Sequence, residues 1–306
     1  MEVMDYHNAV LLEQTVAGLA IKPDGVYVDV TFGGGGHSRE ILKHLGPNGK
    51  LFAFDQDEDA WENRIDDERF MLVPHNFRHL KRFLRFHGIT EVDGILADLG
   101  VSSHQFDVAE RGFSTRFDAP LDMRMSKSNS KSAYTVINEY EEKALKHILL
   151  EYGELKSAPV MARTIVHHRN PNPIATTERL KEVLRPFYPA HKSHKILAQV
   201  YQAIRIEVNE EIDVLREMLE QAVDVLKPGG RLSVISYHSL EDRLVKRLIK
   251  NGQFEGEPER DFFGNFQVPL KAIGKLIVPD QAELEANSRS RSAKLRIAEK
   301  VQIAKK

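Results

Sequence analysis

Cysteine is absent from all 306 residues. Disulfides, thiolate metal sites, Cys-ligated iron–sulfur clusters and a cysteine nucleophile are thereby excluded. So are zinc nucleobase deaminases, whose metal needs Cys ligands. Long apolar runs are also missing: nowhere do about 18 apolar residues follow one another, so no membrane-spanning helix and no membrane partner are expected. Nor is there an excess of one charge. Lys and Arg number 43 against 45 Asp and Glu, a net charge of −2, so a polyanionic partner must be held by local patches. Glu2, Asp5 and Glu13 lie in and around the first apolar stretch, unlike a signal peptide, and a cytoplasmic location is expected.

With 42% apolar and 29% charged residues, the composition is that of a globular protein long enough for two domains, or for one with an insertion. Short buried strands at 26–30, 50–55, 70–74 and 94–99 alternate with helical segments at 7–19, 38–45 and from Glu58 onward. That alternation predicts an α/β fold, a doubly wound and mostly parallel sheet. The rhythm then stops. Residues 141–152, 158–168 and 177–184 read as helices, with no buried strand among them. A long amphipathic helix over 209–226, stopped by Pro228-Gly229-Gly230, restores it. A strand at 231–236, a helix at 240–249 and a last strand near 293–297 follow. The expected organisation is one α/β domain made of residues 1–107 and 209–306, interrupted by a helical insertion over 108–208.

The segment Asp29-Val30-Thr31-Phe32-Gly33-Gly34-Gly35-Gly36-His37-Ser38 joins the first strand to a helix. In a doubly wound sheet this turn lies at the ligand crevice, outside the carboxyl ends of the strands. A dinucleotide fingerprint fails, because the sixth position is Ser38 counted from Gly33 and Arg39 counted from Gly34. A Walker loop fails because His37 follows Gly36. The spacing Asp29, Gly33, Gly35 fits instead, and resembles the first motif of S-adenosylmethionine-dependent methyltransferases. Asp55, 20 residues after Gly35, can grip a ribose diol with two charge-assisted hydrogen bonds. NAD enzymes share such an acid, so it does not choose the cofactor alone.

Asp98 leaves the fourth strand into a polar turn containing Ser102 and Ser103. An exocyclic base amine delocalises its lone pair into the ring and is a poor nucleophile. Acceptors on its two N–H groups favour a pyramidal nitrogen aimed at a methyl carbon. Asp98, the two hydroxyls or neighbouring carbonyls can serve, with a capping or turn aspartate as the lesser reading of Asp98. Without a cysteine, pyrimidine C5 methylation lacks its usual covalent nucleophile, which favours N- or O-methylation. His238 and Asp242 follow the fifth strand at the same crevice. His238 can accept or relay the amine proton, while Ser239 and Asp242 can equally cap the following helix.

Seven segments form one set: Tyr6-His7-Asn8-Ala9-Val10-Leu11-Leu12, Thr31 to Ser38, Asp98-Leu99-Gly100-Val101-Ser102-Ser103, Glu110-Arg111-Gly112-Phe113-Ser114, Pro120-Leu121-Asp122-Met123-Arg124-Met125, Ile235-Ser236-Tyr237-His238-Ser239-Leu240-Glu241-Asp242-Arg243 and Ser290-Arg291-Ser292-Ala293-Lys294-Leu295-Arg296. Together, from about residue 5 to 300, they resemble the MraW family of bacterial 16S rRNA cytosine-N4 methyltransferases. The resemblance implies a Rossmann-like class I methyltransferase domain with a helical insertion. It implies methyl transfer from S-adenosylmethionine to N4 of a cytidine in the decoding centre, near the P site. The cofactor site it implies falls on Gly33, Gly35, Gly36 and His37, with Asp55 at the ribose, Phe77 by the adenine, and Asp98 and Gln105 near the methionine end. It also implies 16S rRNA within the small ribosomal subunit as partner, and a homodimer. Gly34 departs from the family, which often carries a larger residue there; an extra glycine loosens a loop by up to about 1 kcal/mol. Residues 251–285 match weakly, and nothing is carried over to them.

Three basic clusters are candidates for holding RNA phosphates. Between Pro159 and Arg205 lie Arg163, Arg169, Arg179, Lys181, Arg185, Lys192, Lys195 and Arg205, with His167, His168, His191 and His194. The second runs from Asn287 to the end. The third is Arg78, Lys81, Arg82 and Arg85, interleaved with Phe83 and Phe86. Each reads equally as a solvated face. His191 and His194 lack an adjacent acid or cysteine set, so no metal is expected. Asp261-Phe262-Phe263-Gly264 lacks the other kinase elements. Two rivals stand beside the methyltransferase: a nicotinamide dehydrogenase, opposed by the failed glycine fingerprint, and a non-catalytic RNA-binding assembly factor, opposed by the intact loop with Asp55 and Asp98.

Overall fold

The computed structural model describes residues 9–258, 260 and 266–302. Tyr6, His7 and Asn8 of the first motif, the segment 261–264 and the last residues of the second basic cluster lie outside them. The strands are β1 (Val26–Asp29), β2 (Lys50–Phe54), β3 (Phe70–Val73), β4 (Val92–Asp98), β5 (Leu226–Ser236), β6 (Leu270–Ala272) and β7 (Lys294–Lys300). The helices are α1 (Leu12–Gly18), α2 (Gly36–His44), α3 (Leu80–Phe86), α4 (Ser103–Asp107), α5 (Ala133–Glu139), α6 (Glu142–Glu151), α7 (Ala158–His168), α8 (Thr177–Leu184), α9 (Ser193–Asn209), α10 (Glu211–Val225), α11 (Ser239–Asn251) and α12 (Gln281–Ala286). The chain divides into two compact units, Val101–Ile212 and the segments flanking it on either side.

The flanking segments build one seven-stranded sheet in the order β3-β2-β1-β4-β5-β7-β6. The first five strands are parallel, and β7 runs antiparallel to both β5 and β6. The expected mostly parallel, doubly wound sheet is therefore present. β1 and β4 are buried along nearly their whole length, as strands covered on both faces must be. Gly94 interrupts the apolar run of β4 for a steric reason: a Cβ there would lie 2.8 Å from the ring of buried Tyr27. Asp93, next to it, ties three strands together. It accepts from the Val26 amide at the start of β1 (3.1 Å) and pairs with Lys227 in β5 (2.7 Å).

The strand order places the site. From β1 the chain winds outward through β2 and β3, then returns to lay β4 on the other side of β1. Such a reversal opens a crevice beyond the carboxyl ends of the two central strands. The glycine loop leaves β1 there, and Asp98 ends β4 there.

Val101–Ile212 is helical, with one isolated bridge among its described residues, Pro120 to Thr176. Its core gathers Val136 and Ile137 of α5, Leu145, Ile148 and Leu149 of α6, Met161 and Ile165 of α7, Leu180 of α8, and Val200 and Ile204 of α9. These positions recur at three- and four-residue spacing, the stripe a packed helix needs.

Several elements differ from the sequence reading. The first helix begins only at Leu12, and the helix expected from Glu58 is a six-residue 3₁₀ turn, Glu58–Asn63. The helix read over 209–226 is α10, separated from α9 by Glu210 in the left-handed region (φ 53°). β6 has no counterpart in the sequence pattern. Three residues carry no period of their own, and this strand exists only because β7 offers it an edge.

Candidate functional site

Asp29 closes β1 and organises the turn that follows. Its fully buried carboxylate accepts from the Ser38 hydroxyl (2.7 Å) and from the Thr31 amide (3.0 Å). Burial raises its pKa above the usual aspartate range, against the pull of those bonds. Thr31 passes the connection on: its hydroxyl oxygen accepts from the Asp98 backbone N–H at 2.6 Å. The first acid of the glycine motif and the acid of β4 are thus joined through one threonine.

Gly35 sits at the N-terminus of α2 with φ 78°, where a Cβ would fall 2.3 Å from the Arg39 guanidinium and 3.0 Å from the Phe32 ring. Gly36 passes the Ala9 side chain closely. Gly34 is different: its backbone is ordinary, and a Cβ there would have nothing within 4 Å. A side chain at this position therefore meets open space. Arg39 braces the loop from beneath, donating to the Gly34 carbonyl (2.8 Å) and the Asn63 carbonyl (3.1 Å), while the Asn63 side chain donates to the Gly33 carbonyl (3.0 Å).

Asp55 follows β2 and faces this loop, accepting from the Gly33 amide (2.8 Å) and the Asp57 amide (2.8 Å). Burial pushes its pKa up to about 6. Phe77 opens the 3₁₀ turn Phe77–His79 after β3 and is half-buried. Asn76 caps that turn and donates to Gln56 beside Asp55 (2.8 Å), so the aromatic ring and the acid are held by neighbouring turns.

Asp98 closes β4 at the same crevice. Oδ1 accepts from the Tyr237 hydroxyl at 2.7 Å, and Oδ2 lies 3.8 Å from His37 Nδ1. Burial pushes Asp98 up to about 6, with His37 and Tyr237 drawing it back down. Burial lowers the pKa of His37, whose Nε2 lies 3.1 Å from the Val10 carbonyl and holds the ring in place. Tyr237 has its pKa raised well above that of a free phenol by burial and by Asp98, so it stays a donor. Sequence reasoning gives Tyr237 no role. Its only signal is a position just past β5, and that has meaning once β5 is known to lie beside β4, with Ile235 opposite Asp98.

His238 immediately precedes α11, with Nε2 3.1 Å from Glu241 Oε1. Buried Glu241 looks back to accept from the amides of Tyr237 (2.8 Å) and His238 (3.3 Å). Asp242, read as a cap, is instead committed sideways to β7, bonded to Arg296 through both oxygens at 2.7 and 3.2 Å. An Arg fork on a neighbouring strand outcompetes an exposed cap.

Gly33, Gly35, Gly36, His37, Asp55, Phe77, Asp98 and His238 therefore all belong to the sheet unit, beyond the strand ends. Ser102 and Gln105 belong to the helical unit. There they serve one another: the Ser102 hydroxyl accepts from the Gln105 amide (3.2 Å), and the Gln105 side chain accepts from the Ser102 amide (3.0 Å), a capping box at the start of α4.

Much of the basic charge read from sequence is neutralised internally. Arg78 pairs with Glu217 (2.8 Å) and Lys81 with Asp224 (2.5 Å). Arg163 meets Glu142, Arg179 meets Glu182, Lys181 meets Glu178 and Arg205 meets Glu211. Arg169 donates its guanidinium to the carbonyls of Ile137 and Tyr140.

A family model described as the MraW methylase family matches residues 4–301. The protein named ribosomal RNA small subunit methyltransferase H from Flavobacterium johnsoniae is 72% identical over 298 residues, covering 97% of this chain and 99% of that protein. The protein of the same name from Christiangramia forsetii is 64% identical over 301 residues, covering 98% and 100%. The one from Bacteroides thetaiotaomicron is 56% identical over 298 residues, covering 97% and 98%.

Proposed function

The chain belongs to the MraW methylase family of S-adenosylmethionine-dependent methyltransferases that act on small-subunit ribosomal RNA, and we propose that the atom it methylates is N4 of a cytidine in the decoding centre of 16S rRNA, near the P site. The observation that carries this reading is Asp98: a largely buried acceptor at the sheet's switch point, clamped by Thr31 and Tyr237 and facing the glycine loop.

The residues fit the cofactor. Gly33, Gly35, Gly36 and His37 line the β1 turn, Asp55 is the acid for a ribose diol, Phe77 is the surface for the adenine, and Asp98 takes the methionine end. Bound S-adenosylmethionine supplies an electrophilic sulfonium methyl group. Asp98, ionised, accepts an N–H of the cytosine amine and lets its nitrogen pyramidalise toward that methyl. Tyr237 holds the carboxylate in one orientation throughout. His238 accepts or relays the proton that the methylated nitrogen loses. No covalent adduct is required, which agrees with a chain that has no cysteine. We read the substrate as rRNA within the small subunit in the cytoplasm, the helical unit as its recognition domain, and the working form as a homodimer. Among the described residues no helix is long and apolar enough to cross a membrane.

The test is methyl transfer from labelled S-adenosylmethionine to small subunits lacking the modification, with mass spectrometry of the nucleosides. N4-methylcytidine is the expected product. Another methylated nucleoside overturns the assigned atom; cofactor binding without transfer to subunits or naked rRNA leaves an assembly factor.

A further inference from the structure

α11 turns Leu244, Val245, Leu248 and Ile249 inward. Its exposed positions are Ser239, Arg243, Lys246 and Lys250, with no acid among them. The two acids of the helix are used elsewhere, Glu241 on the amides of Tyr237 and His238 and Asp242 on Arg296. Glu255, in the loop after the helix, is held by Arg216 at 2.9 Å. Half-buried Arg247 is fixed by donating to the Gly256 carbonyl at 2.5 Å. Among the described residues, Lys246 and Lys250 meet no acid. This contrasts with α8, where each cation has an acid three residues away. Lys246 and Lys250, four residues apart on the helix, repel each other, a cost that an anion would relieve.

Arg243, Lys246, Arg247, Lys250, Asn251 and Glu257 line a recess of about 240 Å³. The volume is below the ~300–1,000 Å³ typical of small-molecule sites, and four of its six lining residues are cationic. That suits part of a polyanion better than a free metabolite. From Arg243 to Lys250 the helix rises about 10 Å, roughly the span of three stacked nucleotides along one strand. α11 also starts just after His238, beside the site, so the stripe leads away from the reacting base.

We propose that the cationic face of α11 binds phosphates of the substrate RNA backbone. The proposal rests on the methyltransferase reading above and names a surface that none of the three sequence clusters contains. A shared phosphate chemistry makes the contact sequence-independent and salt-sensitive.

The test compares the wild type with Lys246→Ala/Lys250→Ala and Lys246→Arg/Lys250→Arg, using unmethylated 16S rRNA transcript as the probe. Binding is measured from about 0.05 to 0.5 M salt, alongside S-adenosylmethionine affinity and melting temperature. Removing two phosphate contacts lowers the log–log salt slope by about 1.5 and weakens binding about thirtyfold at about 0.1 M salt. The arginine pair retains both, and cofactor affinity is unchanged. An unchanged slope and affinity in the alanine pair, with wild type still methylating RNA, overturns the α11 site alone and hands the face to an acidic protein surface. A wild type that binds cofactor but methylates neither the transcript nor small subunits lacking the modification overturns the reading beneath it.

Discussion

Asp98 is costly to the fold. In an unfolded chain its carboxyl ionises near about 3.9, whereas in the folded protein burial pushes it up to about 6. Below about pH 4 it is protonated in both states and costs nothing. Above about 6 the folded state carries a charge it has had to desolvate, and about two pH units correspond to roughly 3 kcal/mol. Asp98→Asn should therefore raise the melting temperature at about pH 8, by up to about 3 kcal/mol of stability, and change it little near pH 4. The same variant should lower methyl transfer at least about a hundredfold, the scale of losing one oriented polar group. Melting curves at the two pH values and a turnover assay check both. Near-wild-type turnover would remove Asp98 from the mechanism, and equal stability at the higher pH would remove its desolvation cost. In the wild type, transfer should fall as pH drops through about 6, because only the carboxylate accepts the amine N–H without competition from its own proton.

At the scale of elements, the turn between β1 and α2 separates its glycines by need. Gly35 has φ 78° and close neighbours, while Gly34 has neither. Gly35→Ala should destabilise by about 1–2 kcal/mol, the cost of a left-handed L residue, and weaken S-adenosylmethionine binding in a calorimetric titration. Gly34→Ala should stabilise by about 0.4–1 kcal/mol by restricting the unfolded chain, visible as a higher melting temperature. A run of four glycines gives no hint of this difference, because letter composition does not report φ. The strands of the parallel half are legible because burial on both faces writes a continuous apolar run, as in β4. β6 and the break at Glu210 are not, since both depend on neighbours distant in the chain.

For the whole molecule, Asp93 is the clearest long-range tie, joining the start of β1 to β5 across β4. Its lysine partners Lys227 and Lys22 hold its pKa below the usual aspartate value despite burial. Removing the carboxylate in Asp93→Ala should cost about 2–3 kcal/mol in denaturant unfolding at neutral pH. A lowered pKa means this stabilisation is present above about pH 4 and lost as pH falls through the folded value. The gap between wild type and variant should therefore narrow in acid; a gap independent of pH would show that packing, and not charge, is what Asp93 contributes.

Residue types and spacing alone determined the fold class, the glycine turn and the placing of Asp55 and Asp98 at strand ends, because each is set by local backbone demands or by strand periodicity. They determined the exclusion of thiol chemistry outright. What only the tertiary structure decided is which charges remain available. Arg78, Lys81, Arg205 and Arg296 look like RNA-binding cations in sequence and are consumed by Glu217, Asp224, Glu211 and Asp242, whereas α11, unremarkable in sequence, keeps Lys246 and Lys250 exposed. Tyr237 likewise acquires its purpose only from the pairing of β4 with β5. Ion pairs and hydrogen bonds act over a few ångströms in space between residues far apart in the chain, and no linear pattern records that distance.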